Sequence, residues 1–392
     1  GLSAAAAFVV LAMRTLLAAT LSSLRVERRQ VAATGHTLEW LATQLLRRAP
    51  SLDSENVERD LDELCERLEA HLLRDPDNSA LRSALASALG ERAGLAQARS
   101  DFAAQEQLAR QALAIRTDLL ASDPTDLASR MHLAMLHAKL GEAARDCGDP
   151  DACEQHFAKA LEIDEELVRL RPADLDLVED LGWSLARCAD ASAQRGDQSR
   201  AYELHMRRLD DARCLAAAEP DNWKFQFNLS HALYYAAGFE ELAGDSERGV
   251  QLARRADDAV ARAIELDPLR RSLIQWRLDL RRRMAGYAFR VGDTGAGLRD
   301  AEAALGLAER LVTIEPGQAE HFRLLSVAAA ELATYSEQVM ERGVHDRVAA
   351  TFGRLANLAR FSGQGETAAE LATLSSRLSG TPGSAALSEI DR

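Results

Sequence analysis

Six of the nine prolines stand at 76, 124, 172, 220, 268 and 316, each 48 residues from the next. A break that recurs at one interval makes that interval the folding unit and points to a repeat architecture. A second marker keeps the same period: Gly148-Asp149, Gly196-Asp197, Gly244-Asp245 and Gly292-Asp293, with Ser100-Asp101 at the earlier equivalent place. Each pair follows its proline by 24 or 25 residues and so halves the unit. Proline ends a helix by removing a donor and clashing with the preceding turn. Glycine supplies a left-handed cap, and the Asp after it can cap the next helix. Each unit is therefore predicted to be two helices of about 20 residues, near 30 Å long.

Apolar columns follow the same ruler. Nine residues after each proline stand Leu85, Leu133, Leu181, Leu229 and Leu325, with Arg277 the exception. Seventeen after stand Ala93, Gly141, Ala189, Ala237, Ala285 and Ala333; forty-three after, Leu119, Leu167, Leu215, Ala263, Leu311 and Ala359. Such columns recur within a unit at three- and four-residue steps, the signature of a buried helix stripe. Large side chains opposite small ones let neighbouring helices interlock. No alternating strand-like run of useful length occurs, so the expected fold is an all-α solenoid. A composition with 47% hydrophobic and 28% charged residues is that of a globular chain. A net charge of −14 argues against a nucleic-acid partner. Five cysteines do not make a disulfide framework.

Val178, Leu181, Gly182 and Leu185, followed by Ala201 and Pro220, reproduce the apolar, Leu-Gly, apolar spacing of a tetratricopeptide repeat. Small residues at the Gly182 column (Ala86, Ala134, Ser230, Ser326) obey the same rule. The chain thus resembles tetratricopeptide-repeat proteins over residues 28–363. The usual unit is 34 residues, and the added length fits as two turns per helix, which nearly preserves the buried face. The resemblance implies a right-handed superhelix of stacked antiparallel helix hairpins whose concave groove holds a protein or peptide partner.

Five segments follow. Residues 76–363 carry six repeats. Residues 25–75 read as a connector and a diverged capping hairpin, with Val57, Leu61, Leu64 and Leu68 as its stripe. Residues 364–379 read as a capping helix, and 380–392 as a disordered tail. Residues 1–24 are a candidate membrane anchor, because Leu2–Leu24 is apolar or small except for Arg14 and is followed by Arg25, Arg28 and Arg29. Arg14 would cost about 2.5–3.5 kcal/mol at a membrane centre, and the alternative is an amphipathic helix packed on the first repeat.

This arrangement is similar to the repeat region of bacterial membrane-anchored serine/threonine kinases, with an apolar run, the connector Arg25-Val26-Glu27-Arg28-Arg29-Gln30, and then repeats. That resemblance implies a bacterial inner-membrane anchor and a catalytic domain before Gly1; otherwise the chain is expected in the cytoplasm. A start at Gly1 fits a piece of a longer protein.

Catalytic motifs are missing. The sequence has no phosphate-binding Gly-Lys-Ser/Thr loop, no Gly-x-Ser-x-Gly elbow, no His-Glu-x-x-His and no kinase signature. Cys147, Cys153 and His156 suggest a metal, but Cys153 falls in a small-residue column with Ala201 and Gly249, so packing is the preferred reading. Asp210-Asp211 and Asp257-Asp258 read as solvated faces. No cofactor, metal or catalytic residue is expected, and hairpins stacked side by side leave no room for a catalytic pocket.

Aromatics are only 5% of the chain, yet they gather on the first-helix face. The family's partner contacts map to Glu179, Trp183, Ala186 and Arg187; to Phe227, His231, Tyr234 and Tyr235; and to Gln275, Asp279, Arg282 and Arg283. Of these, Trp183, Arg187, Phe227, His231, Tyr234, Tyr235, Asp279, Arg282 and Arg283 are the candidate groove residues, with gap-filling between long helices the alternative. Arg277 and Arg281 occupy leucine-like columns. They are expected to reflect a rotated helix that uses Leu273, Trp276, Leu280 and Met284 as its stripe. Arg281-Arg282-Arg283 then forms a basic spot suited to a carboxylate or phosphate.

Overall fold

The computed structural model describes residues 54–339 and 342–379. The predicted anchor over 1–24, the connector up to residue 53 and the tail over 380–392 lie outside the described residues. The chain divides into two compact units, one ending at Leu204 and one starting at His205. The first holds α1 (Ser54–Leu72), α2 (Ser79–Ala98), α3 (Phe102–Ser122), α4 (Leu127–Asp146), α5 (Pro150–Leu170) and α6 (Leu175–Gln194). The division falls inside α7 (Gln198–Ala218). The second holds α8 (Trp223–Leu242), α9 (Ser246–Leu266), α10 (Arg271–Arg290), α11 (Thr294–Ile314), α12 (Ala319–Gln338), α13 (Arg342–Phe361) and α14 (Gly365–Leu378). No strand occurs among the described residues. Within the first unit consecutive helices from α1 to α6 pack together, and α2 also touches α4. Within the second, consecutive helices from α8 to α14 do the same, and α12 also touches α14. The fold is an all-α solenoid of antiparallel hairpins. No helix among the described residues is long and apolar enough to cross a membrane.

The turns inside the hairpins are three residues long and are built from one bond pattern. After α4, the Gly148 amide donates to Arg145 at 3.0 Å and the Asp149 amide donates back to Ala144 at 2.8 Å. These are the two bonds of a Schellman cap, which needs a left-handed residue at its centre. Gly148, Gly196, Gly244 and Gly292 supply it with φ of 77°, 86°, 88° and 84°. The Asp that closes the cap then starts the next helix. Asp101, Asp149, Asp197, Asp245 and Asp293 each accept from the amide three residues on, at 2.9–3.1 Å.

Turns between hairpins use the prolines. The backbone amide of Asn78 donates to the Asp75 carbonyl, and likewise that of Asp126 to Asp123, Asp174 to Arg171, Asn222 to Glu219, Arg270 to Asp267 and Gln318 to Glu315, at 3.1–3.3 Å. Each ladder proline therefore sits second in a β-turn, where its fixed φ is pre-set and its missing N–H costs nothing. The residue before the proline is driven out of helix, as at Asp123 (φ −135°, ψ 89°).

The leucine and alanine columns form the core. Leu85, Leu133, Leu181 and Leu325, the whole series from Ala93 to Ala333, and that from Leu119 to Ala359 are buried; Leu229 is half-buried. Leu61, Leu64 and Leu68 of α1 are buried as well. Close approach fixes some glycines. A Cβ on Gly249 would lie 3.1 Å from the Ala237 carbonyl oxygen, and one on Gly297 3.2 Å from that of Ala285. Cys153 is buried against Phe157 and Ala191, whereas Cys147 is exposed at its turn. Packing therefore explains Cys153 but not Cys147.

Ser100 has a φ of 60° at the place where the other turns carry glycine. A non-glycine residue there bears a left-handed strain of roughly 1–2 kcal/mol, partly offset by glycine's larger unfolded-state entropy. Ser100→Gly should stabilise the chain by about 0.5–1 kcal/mol in urea unfolding, with an unchanged denaturant slope.

Candidate functional site

Helix α8 presents Phe227, His231, Tyr234 and Tyr235 at three- and four-residue steps, so one face of the helix carries all four rings. All four are half-buried. They continue onto α10 through Trp276, which stacks on His231 at 4.5 Å between centroids and meets Tyr234 edge-on at 5.3 Å and Phe227 at 6.1 Å. Its indole Nε1 donates to Ser230 Oγ at 3.0 Å. On the other side Tyr235 stacks on His205 of α7 at 4.5 Å. The cluster is anchored from beneath by Arg208, whose Nη1 donates to His231 Nδ1 at 2.9 Å. An imidazole that accepts from a guanidinium must be neutral, and burial, then Arg208 and His205, push the His231 pKa down to about 2. His231 is thus a fixed aromatic plate rather than a proton-transfer group.

The arginines divide sharply. Arg282 is clamped by Glu331 through two bonds of 2.8 and 2.7 Å, with Asp279 at 3.2 Å. Arg283 is exposed, and its guanidinium lies 4.9 Å from the centre of the Tyr234 ring. Such stacking holds a cation over an aromatic face with its donors still turned to water.

Arg277 and Arg281 correct the expectation of a rotated helix. Leu273, Leu280 and Met284 are buried, but so are Ile274, Leu278 and Ala285, and Trp276 is only half-buried. Both arginines stay in the leucine columns because carboxylates replace the leucines they would have met. Arg277 bonds Asp257 at 2.8 and 3.0 Å; Arg281 bonds Asp257 at 2.8 Å and Asp300 at 2.5 Å. Asp257 is 3% exposed, so it is not the solvated residue expected. Burial alone would raise its pKa, but the bonds from Arg277 and Arg281 outweigh burial and lower it. Only Arg283 of the Arg281-Arg282-Arg283 run presents its charge outward.

In the first unit Trp183 and Arg187 are half-buried and Ala186 is buried. Arg187 Nε donates to Glu142 at 2.8 Å, and Gln97 donates to the other oxygen of Glu142 at 3.0 Å, which ties α2, α4 and α6 in a row. Met131 and Met135 are each 38% exposed, one helical turn apart on α4. They stand in the columns of Phe227 and His231, and reading only the central units overlooked them. His205 and Arg208 were also overlooked. Their signal is positional: Arg208 falls in the column of Ala112, Ala160, Ala256 and Ala304, where a charge must be structural or functional.

A cleft of about 440 Å³ opens in the first unit between α5, α6 and the start of α7. Ala158 and Ala191 line it, at places that Met206 and Phe239 fill one unit later. Cys188 is in its wall, but burial pushes that thiol up to about 12, so it stays protonated and a poor nucleophile.

The salt network yields a graded prediction. Asp257→Leu alone should destabilise the chain by about 3–5 kcal/mol, because two arginines lose their buried partner. Asp257, Arg277, Arg281 and Asp300 all changed to Leu should be neutral or stabilising by about 1–4 kcal/mol in the same chemical denaturation series.

No protein-family model matches the sequence, and no curated protein matches it significantly. Solved structures do. The S. pombe nuclear import adaptor Nro1 aligns over 73% of this chain and 95% of its own, with 14% identity and a TM-score of 0.53. A signal-transduction ATPase with a tetratricopeptide-repeat sensor, PH0952 from Pyrococcus horikoshii, aligns over 91% of this chain and 51% of its own, with 12% identity and a TM-score of 0.50. At such identities the likeness is one of fold, and the fold of this chain is tetratricopeptide-like.

Proposed function

We propose that this chain is a noncatalytic interaction scaffold, and that the face formed by Phe227, His231, Tyr234, Tyr235 and Trp276 holds a segment of a protein partner. The observation that carries the reading is the half-burial of these rings. A core would take them fully, and an isolated surface residue would not be braced by Arg208 and Ser230. Rigid aromatics with one face open are the usual anchors of recognition. Arg283 adds the polarity: its donors suit an acidic side chain next to an apolar one in the bound segment. Asp279 and Arg282 serve as the rim. Nro1 is described as an adaptor and PH0952 as carrying its repeats in a sensor, roles of the same interaction kind. In the first unit Met131, Met135, Trp183 and Arg187 form the corresponding face.

A second reading rests on the run from Leu2 to Leu24 with the arginines after it. In it the repeats are the regulatory region of a membrane-anchored serine/threonine kinase. The coding sequence before Gly1 tests this directly, since the reading requires kinase catalytic motifs there.

Selection from a random-peptide display library against the full chain tests the first reading. Enriched peptides should pair an acidic residue with an aromatic or aliphatic one. Arg283→Glu should weaken their binding at least tenfold, about 1.4 kcal/mol, and leave the thermal midpoint unchanged. Peptides that bind both forms equally, or no enrichment, would refute it.

A further inference from the structure

Thirteen residues after each ladder proline, and 32 after it, stand two columns that face each other within a hairpin. They hold Leu89 with Leu108, Leu185 with Leu204, Leu233 with Leu252, and Ala329 with Val348. Arg281 with Asp300 is a charged pair in the same place, closed by a 2.5 Å bond. His137 on α4 and His156 on α5 complete the series, with Nδ1 atoms 3.1 Å apart and ring centroids 5.3 Å apart. Unlike Arg281 and Asp300, two imidazoles balance no charge. They bond only while one Nδ1 carries a hydrogen and the other offers a lone pair.

We propose that the His137–His156 pair is an acid-sensitive latch between α4 and α5, opening when both facing nitrogens carry protons and loosening the helix that bears Met131 and Met135. A first added proton goes to an outer Nε2 and leaves the bond intact. A second places hydrogens on both Nδ1 atoms. The charged groups that face the pair are Lys159 on α5 and, from α3, Arg110 and Glu106. Glu106 is already paired with Arg110 at 2.6 Å, and Lys159 with Glu162 at 2.7 Å. Each cation is thus already matched by its own carboxylate, and no free carboxylate in that set is left to balance two ring charges facing each other at 3.1 Å, so the hairpin relieves their mutual repulsion by opening.

The sign follows from linkage. Burial, then His156 and Lys159, push His137 down to about 4 from 6.5, and burial, then Arg110, lower His156 as well. The closed hairpin therefore has its full stability above pH 6.5 and loses it as pH falls toward 4. Asp164, also on α5, has the opposite sign. Burial, against the Ser184 bond and Arg187, raises it from 3.8 to about 6, so acid relieves its ionisation cost. Its Ser184 donor at 2.6 Å is on α6, so Asp164 acts on α5–α6 and not on the latch.

Amide hydrogen exchange on the full chain at pH 7 and pH 5, corrected for intrinsic rates, tests the latch. Amides of α4 and α5 should open on the order of tenfold more often at pH 5, while α2 and α3, with Leu89 and Leu108 in the same columns, should not respond. His137→Leu with His156→Leu restores the leucine pair and should abolish the response. His156→Gln, which keeps a hydrogen-bonding group without titrating, should reduce it even if the double variant folds poorly. Asp164→Asn should leave it intact. An equal acid response in the native chain and the histidine variants, or equal loosening of α2–α3, would overturn the proposal.

Discussion

Everything in this fold depends on reversing a helix within three residues. The bond from each Asp amide back to the carbonyl five residues earlier closes the cap at 2.8–2.9 Å, and the same Asp carboxylate opens the next helix. One residue thus ends one helix and begins another, which leaves no slack for the two helices to slide. Because the reversal is fixed, any position on the first helix meets a defined position on the second. The columns are the result: a residue type at one offset constrains the type at its partner offset.

The turns and the leucine columns were the most legible part of the sequence, for a physical reason. Proline and glycine act through their own backbone, so their effect needs no knowledge of neighbours. Alanine at one offset and leucine at another likewise declare burial column by column. What could not be read was anything that depends on a pair. Arg277 looked like an anomaly only because Asp257, twenty residues earlier in a different column, was judged separately. Together they replace one leucine contact by one ion-paired contact. Comparing columns on neighbouring helices, both between hairpins and within one, brings out this pair as well as Arg281 with Asp300.

The aromatic face shows a different boundary. Its residues were identified from their offsets, but whether a ring at those offsets is core or surface depends on what lies under it. The answer lies with His205 and Arg208, on a helix where the recognition columns do not run. Arg208 holds His231 by its nitrogen, so the ring packs flat against Trp276 and the layer remains half open. Membrane attachment and kinase association stand apart from these packing questions, because they rest on residues before α1.

The paired columns also govern how such an array could be edited. Excision of residues 220–267 would keep every proline at its interval and every glycine in its turn. The joint would look flawless when judged by spacing alone. Yet Arg277 would then come to lie against Leu209 instead of Asp257, a lone cation beside hydrocarbon. Hairpins of identical length are therefore not interchangeable parts, and the serial order of this chain is written in its few charged mismatches rather than in its many leucines.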